Sequence, residues 1–141
     1  MKFALLLTFL LLLKAVNTEK LSESQIVNSQ LSALKETLVS LNLAQFYKLF
    51  DQNKVEMESV FQPEFSYPNN LFASMGDSQF KNSLRIFTAF QPTQTSTGSL
   101  RALVSIEYNL DGHIHKMDKE VEVSKSDKSP TGYVFSGFEA V

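Results

Sequence analysis

Both histidines of the chain fall in "EYNLDGHIHKM", residues 107–117, two positions apart and directly after an Asp-Gly pair. Residues at i and i+2 of a strand project to the same face, so His113 and His115 could offer two imidazoles to one zinc ion, with Glu107 or Asp118 as a third ligand. Zinc needs three or four convergent ligands held by a further layer of hydrogen bonds. Regular alternation sends Asp118 to the opposite face, so the reading is two histidines flanking a hairpin, with no metal. His115 lies on a semi-apolar face where a cavity would shift its pKa, which makes it the candidate for acid-base work.

Two carboxylates could abstract a proton if burial raised their pKa: Glu64, just after Pro63, and Glu107. Glu107 alternates with apolar neighbours and should face solvent, and Glu64 lies in a turn. Nucleophilic catalysis finds no support, because the chain has no cysteine and no serine in a Gly-x-Ser-x-Gly elbow. Its five glycines show no nucleotide-binding spacing, and no cofactor is expected. The run "KMDKEVEVSKSDK" reads as a solvated strand face followed by a polar turn.

The elements that must position these side chains follow from the pattern of the whole chain. Its 141 residues, 43% hydrophobic and 20% charged, suit one globular domain. "MKFALLLTFLLLL" puts a lysine ahead of an apolar run too short to span a bilayer, which takes about 20 residues. Residues 1–18 therefore read as a secretory signal peptide, cleaved after Thr18 or after Ala15, and the product is expected to be extracellular and free of membrane. Removing Lys2 and Lys14 leaves eleven basic against fifteen acidic residues, a formal charge of −4. Scattered lysines interleaved with acids argue against nucleic acid as a partner. Without cysteine the secreted chain must stand on its core, and the remaining 123 residues are enough for one. Neither Asn28-Ser29-Gln30 nor Asn82-Ser83-Leu84 is a glycosylation sequon.

Residues 19–37 form a polar helical N-terminal segment whose first part, residues 19–29, reads as a frayed terminus. Leu31, Leu34, Leu38 and Leu41, then Phe46, Tyr47, Leu49 and Phe50, continue a helical stripe with a break near Asn42. "KVEMESVF" predicts a second short helix stopped by Pro63. "PEFSYPNN" and "LFASM" read as two short strands about a reversal. Asp77 is a good N-cap for a third helix from about residue 78, with Phe80, Leu84 and Phe87 on one face. "QPTQTSTGS" is a loop with some strand edge. Beyond it the period becomes two: "LRALVSIEYNL" is a half-buried strand, Asp111-Gly112 a hairpin turn, and the return strand puts His113, His115, Met117, Val121 and Val123 on one face with Lys119 as the exception. "GYVFSGFEAV" supplies the last strand. Helices followed by antiparallel strands mean an α+β fold.

The order of these elements over residues 38–141, with "VFQPEF" running out of the second helix, resembles the NTF2-like (SnoaL, ketosteroid-isomerase-like) cone fold. With a signal peptide in front, the chain is similar to the secreted NTF2-like proteins of nematodes. The resemblance implies three N-terminal helices packed on a curved, mostly antiparallel sheet around a pocket. Candidate ligand contacts are then Phe65, Phe87, Phe135 and His113. Enzymes of this superfamily place Asp, His or Tyr inside the cone, yet no catalytic aspartate motif maps onto this chain. The resemblance therefore favours a non-enzymatic domain that binds a small apolar ligand or a protein partner. The alternative is a small lyase or isomerase with His115 as acid or base and Tyr108 or Tyr133 as hydrogen-bond donor. The sheet face of such folds often dimerises, and Leu103, which breaks the polar row of Arg101, Ser105 and Glu107, is the residue expected at a homodimer interface. A cystatin-like inhibitor, a third reading, would need a Gln-x-Val-x-Gly hairpin that is missing here.

Overall fold

A computed structural model of the chain describes residues 21–65 and 67–141. The expected signal peptide and its cleavage point lie outside the described residues. Helix α1 (Glu23–Val39) opens with a reciprocal cap: the Gln25 amide donates to the Ser22 hydroxyl at 3.2 Å, and the Ser22 amide donates to the Gln25 side chain at 2.9 Å. The segment read as a frayed terminus is thus helical from Glu23. Val27, Leu31, Leu34 and Leu38 bury one stripe against the core, which is what holds a helix this polar in place.

The break near Asn42 is a Schellman closure. The Asn42 amide reaches back to the Thr37 carbonyl (2.9 Å) and the Leu41 amide to that of Leu38 (3.2 Å), with Leu41 left-handed at φ 57°. A left-handed backbone costs a branched side chain about 1–2 kcal/mol, and Leu41 recovers little by burial because it is 54% exposed. Leu41→Gly is therefore expected to stabilise the fold by about 0.5–1 kcal/mol, after glycine's larger entropy in the unfolded chain is deducted. A urea midpoint that rises with an unchanged slope will show it; a midpoint that falls would mean that packing holds the leucine.

Asn42 then caps α2 (Leu43–Lys48), its side-chain oxygen accepting from the Gln45 amide at 3.2 Å. "KVEMESVF" forms only a 3-10 turn at Met57–Ser59, with no side-chain cap at Glu56 to start a longer helix. The two short strands expected around "YPNN" are instead one helix, α3 (Pro68–Ser74). Pro68 takes its first position, where a fixed φ suits the helix and a missing amide costs nothing, and Leu71 and Met75 face the core. Asp77 caps α4 (Ser78–Ser83) as expected, accepting from the Phe80 amide at 3.2 Å. That helix stops short of Phe87. Residues beyond it form strand β1 (Arg85–Phe87), because pairing of Ile86 with Ile106 and donation from the Asn109 amide to the Ser83 hydroxyl (2.7 Å) outweigh the helical spacing. Four α-helices and a 3-10 turn among the described residues thus replace the three helices expected.

The sheet is antiparallel throughout, in the order β1, β3 (Leu100–Leu110), β4 (His113–Lys125), β5 (Tyr133–Ala140), with the two-residue β2 (Thr93–Gln94) beside β1 on the same edge of β3. Asp111 and Gly112 carry φ of 53° and 76°, the signs that a two-residue hairpin turn requires, and they set Leu110 opposite His113. Between Glu122 and Val123 the β4–β5 register shifts, inserting Ser136 as a bulge that bends the sheet. The fold is α+β, with the helices packed on one face of this sheet. Between them lies a ring-filled core: Phe46 meets Tyr47, Phe50, Phe61 and Phe72, and Phe135 meets Phe50 and Phe138.

Candidate functional site

Tyr108 and His115 are direct cross-strand partners on β3 and β4, on the face that packs against the helices. Their rings stack with centroids 5.1 Å apart and planes 10° apart. Phe80 from α4 approaches the other side of Tyr108 at 4.5 Å, and Phe65 adds a third ring at 5.8 Å. Tyr108 is 3% exposed, so its phenol is enclosed by rings while its polar end must find polar company.

That company comes from the segment before α3 and from further along β4. Desolvation pushes the Tyr108 phenol up to about 12, and the charge and hydrogen bonding of the Glu64 carboxylate push in the same direction. Lys119 lies four residues beyond His115 on the same face, roughly 13 Å along the strand. It is 1% exposed, and its ammonium donates to the Gln62 carbonyl. Burial pulls the Lys119 amine below the usual lysine range, opposed by the negative charge of Glu64. Glu64, exposed at the rim, is thus within electrostatic reach of two buried groups that stand on different strands.

This arrangement supplies a phenol that stays protonated, hence a donor, across all physiological pH, together with a buried amine and an acceptor at the rim. Such a set can hold a ligand oxygen against an aromatic wall. Lys119 was visible in the sequence only as the exception on an otherwise apolar face. Its partners, the Gln62 carbonyl and Glu64, carry no sequence signal because they lie more than fifty residues away.

Other candidates fall elsewhere. Tyr133 pairs with Lys125, ten residues from His115 along β4, and its carbonyl accepts from Gln30 and Thr131. Phe65 belongs to the Tyr108 wall, whereas Phe135 is fully buried in the ring core. Phe87 carries the Arg85 guanidinium over its ring at 4.8 Å, and His113 is exposed at the hairpin tip. On the outer face Glu107 pairs with Arg85 at 3.4 Å, and Asp118 accepts from Ser105 at 2.8 Å. Leu103, 38% exposed, sits on that face with the Arg101–Glu120 ion pair. Among the described residues no three His, Asp or Glu side chains are grouped to hold a metal ion, and no helix is long and apolar enough to cross a membrane.

No family model matches the chain, and no solved structure matches it. Over 58 residues, 41% of its length, the chain is 47% identical to an uncharacterized protein of Caenorhabditis elegans. The match spans 7% of that much longer nematode protein.

Proposed function

We propose that the chain is a secreted, non-enzymatic binding domain of the NTF2-like kind, which takes a small ligand with an apolar body and an oxygen-bearing end. The observation that carries this reading is the aromatic wall of Phe65, Phe80, Tyr108 and His115, with the Glu64 charge felt by both the Tyr108 phenol and the Lys119 amine. The ligand's apolar part lies on the rings, and its oxygen takes the donors at Tyr108 and Lys119. The bulged antiparallel sheet behind a set of helices supports the cone architecture, and the apolar leader supports secretion.

The lyase or isomerase reading, with His115 as acid or base, draws less support. The imidazole lies flat on Tyr108, and no side-chain hydrogen bond orients it among the described residues.

Native mass spectrometry of the protein secreted from a eukaryotic host, before and after denaturing extraction, tests the proposal. The wild type is expected to carry an organic mass that extraction removes, or to bind added decanoate. Tyr108→Phe combined with Lys119→Met should lose either form of binding. Gln62 and Glu64 are both exposed, so removing the Lys119 ammonium strands no buried charge, and the double variant should remain folded. A wild-type protein that is empty and ignores decanoate, or a double variant that binds as well as the wild type, would overturn the proposal.

A further inference from the structure

The strand ends opposite the histidine hairpin hold a second feature, a cleft of about 530 Å³ lined by Lys48, Lys54, Lys125 and Lys128 together with Asp51 and Asp127. The lysines come from two stretches of sequence more than seventy residues apart. Main-chain bonds bring them together: the Phe135 amide donates to the Leu49 carbonyl at 2.7 Å and the Asp51 amide to the Phe135 carbonyl at 2.9 Å. These bonds fix residues 48–54 beside the loop that joins β4 to β5.

Four lysines at one cleft stand out in a chain with an excess of acids. Among the described residues no carboxylate lies within 4.0 Å of any of the four ammonium groups, although ion pairs of that length form elsewhere on the sheet. Asp51 is engaged locally, accepting from the Asn53 amide at 3.1 Å. An adjoining depression of about 350 Å³ shares Lys54, Ser124 and Lys125, and adds the hydroxyl-bearing Thr97 and Ser99. The Ser99 hydroxyl is already given to the Glu122 carboxylate, so the lysines carry the trough, and positive charge spread along it is what a chain of sulfate or phosphate groups requires. A single small anion would leave most of the four lysines unused.

We propose that this trough binds an extended small polyanion bearing at least two sulfate or phosphate groups. The site is separate from the Tyr108 site and does not depend on it. All four lysines are exposed, so replacing them leaves the core untouched.

Isothermal titration of the full secreted chain with inorganic tripolyphosphate and with a fully sulfated heparin disaccharide tests the proposal. At least one probe should bind, more tightly at low ionic strength than at physiological salt. Lys54→Gln with Lys125→Gln should weaken binding by about tenfold for each lysine that contacts the probe. The control pair Lys35→Gln with Lys81→Gln, exposed lysines outside the trough, should leave it unchanged. Binding of tripolyphosphate alone assigns phosphate groups, binding of the disaccharide alone assigns a sulfated sugar, and binding of both assigns the charge pattern the two share. If neither probe binds, or if the control pair weakens binding as much as the trough pair, the proposal falls.

Discussion

Phe46→Ala is expected to destabilise the domain by about 3–5 kcal/mol, the range for emptying a phenylalanine site in a packed core. Phe46 is fully buried, and four rings surround it at centroid distances of 5.1 to 5.9 Å. Those rings come from α2 (Tyr47), the residue bridged to β5 (Phe50), the turn after the 3-10 segment (Phe61) and α3 (Phe72), so no single element can move in to fill the space. Urea unfolding should show the midpoint falling steeply with its slope unchanged. Leu43→Ala, at the start of the same helix and 37% exposed, should cost well under half as much. A Phe46→Ala loss below about 1 kcal/mol would mean that the ring cluster collapses around the gap, against the rigid core described above.

Between pH 10 and 12 stability should fall by about 2–3 kcal/mol through Tyr108 alone. Its phenol ionises at the ordinary 10.0 in the unfolded chain and at about 12 in the fold. Through that window the folded state holds the proton more tightly, so rising pH favours unfolding. The contribution is fully present below pH 10 and is lost as pH climbs through about 12. Lys119 acts with the opposite sign. Its amine is pulled below the ordinary 10.5, so the unfolded chain binds more protons in the interval beneath 10.5 and stability rises with pH there. Tyr108→Phe should flatten the alkaline fall, and Lys119→Met should flatten the rise before it, each read as a difference from the wild-type profile. An alkaline limb unchanged by Tyr108→Phe would place the phenol in water.

The hairpin of β3 and β4 was legible because alternation and Asp111-Gly112 are local signals that agree with each other. The Asp77 cap and the break near Asn42 were legible for the same reason, although the role of Asn42 as a cap was not. Pro68 was misread because a proline before two asparagines marks a turn as readily as a first helical turn, and only the burial of Leu71 and Met75 decides between them. Strand β1 escaped because its pairing partner lies some twenty residues away. Of the candidate site, the pairing of Tyr108 with His115 follows from the hairpin register. The approach of Glu64 and the Gln62 carbonyl depends on how the segment before α3 crosses the sheet, and no periodicity encodes that path. The lysine trough was invisible for a related reason, since its two halves meet only through main-chain bonds to Phe135.

The Gln30 amide is 1% exposed, donates to the Leu49 and Tyr133 carbonyls at 3.2 Å, and accepts from the Thr131 hydroxyl at 2.6 Å. Its C-terminal partners are 101 and 103 positions away along the chain. During synthesis α1 therefore emerges long before the residues that close around it, and at roughly 5–20 residues per second the ribosome leaves it waiting for seconds. Its apolar stripe packs on α2, β1 and β3, all of which are made earlier, so what waits for the C-terminal partners is the Gln30 amide. The order of events makes the closing of residues 131–133 over Gln30 a late step, and their loss would leave that buried amide without two of its three hydrogen-bond partners.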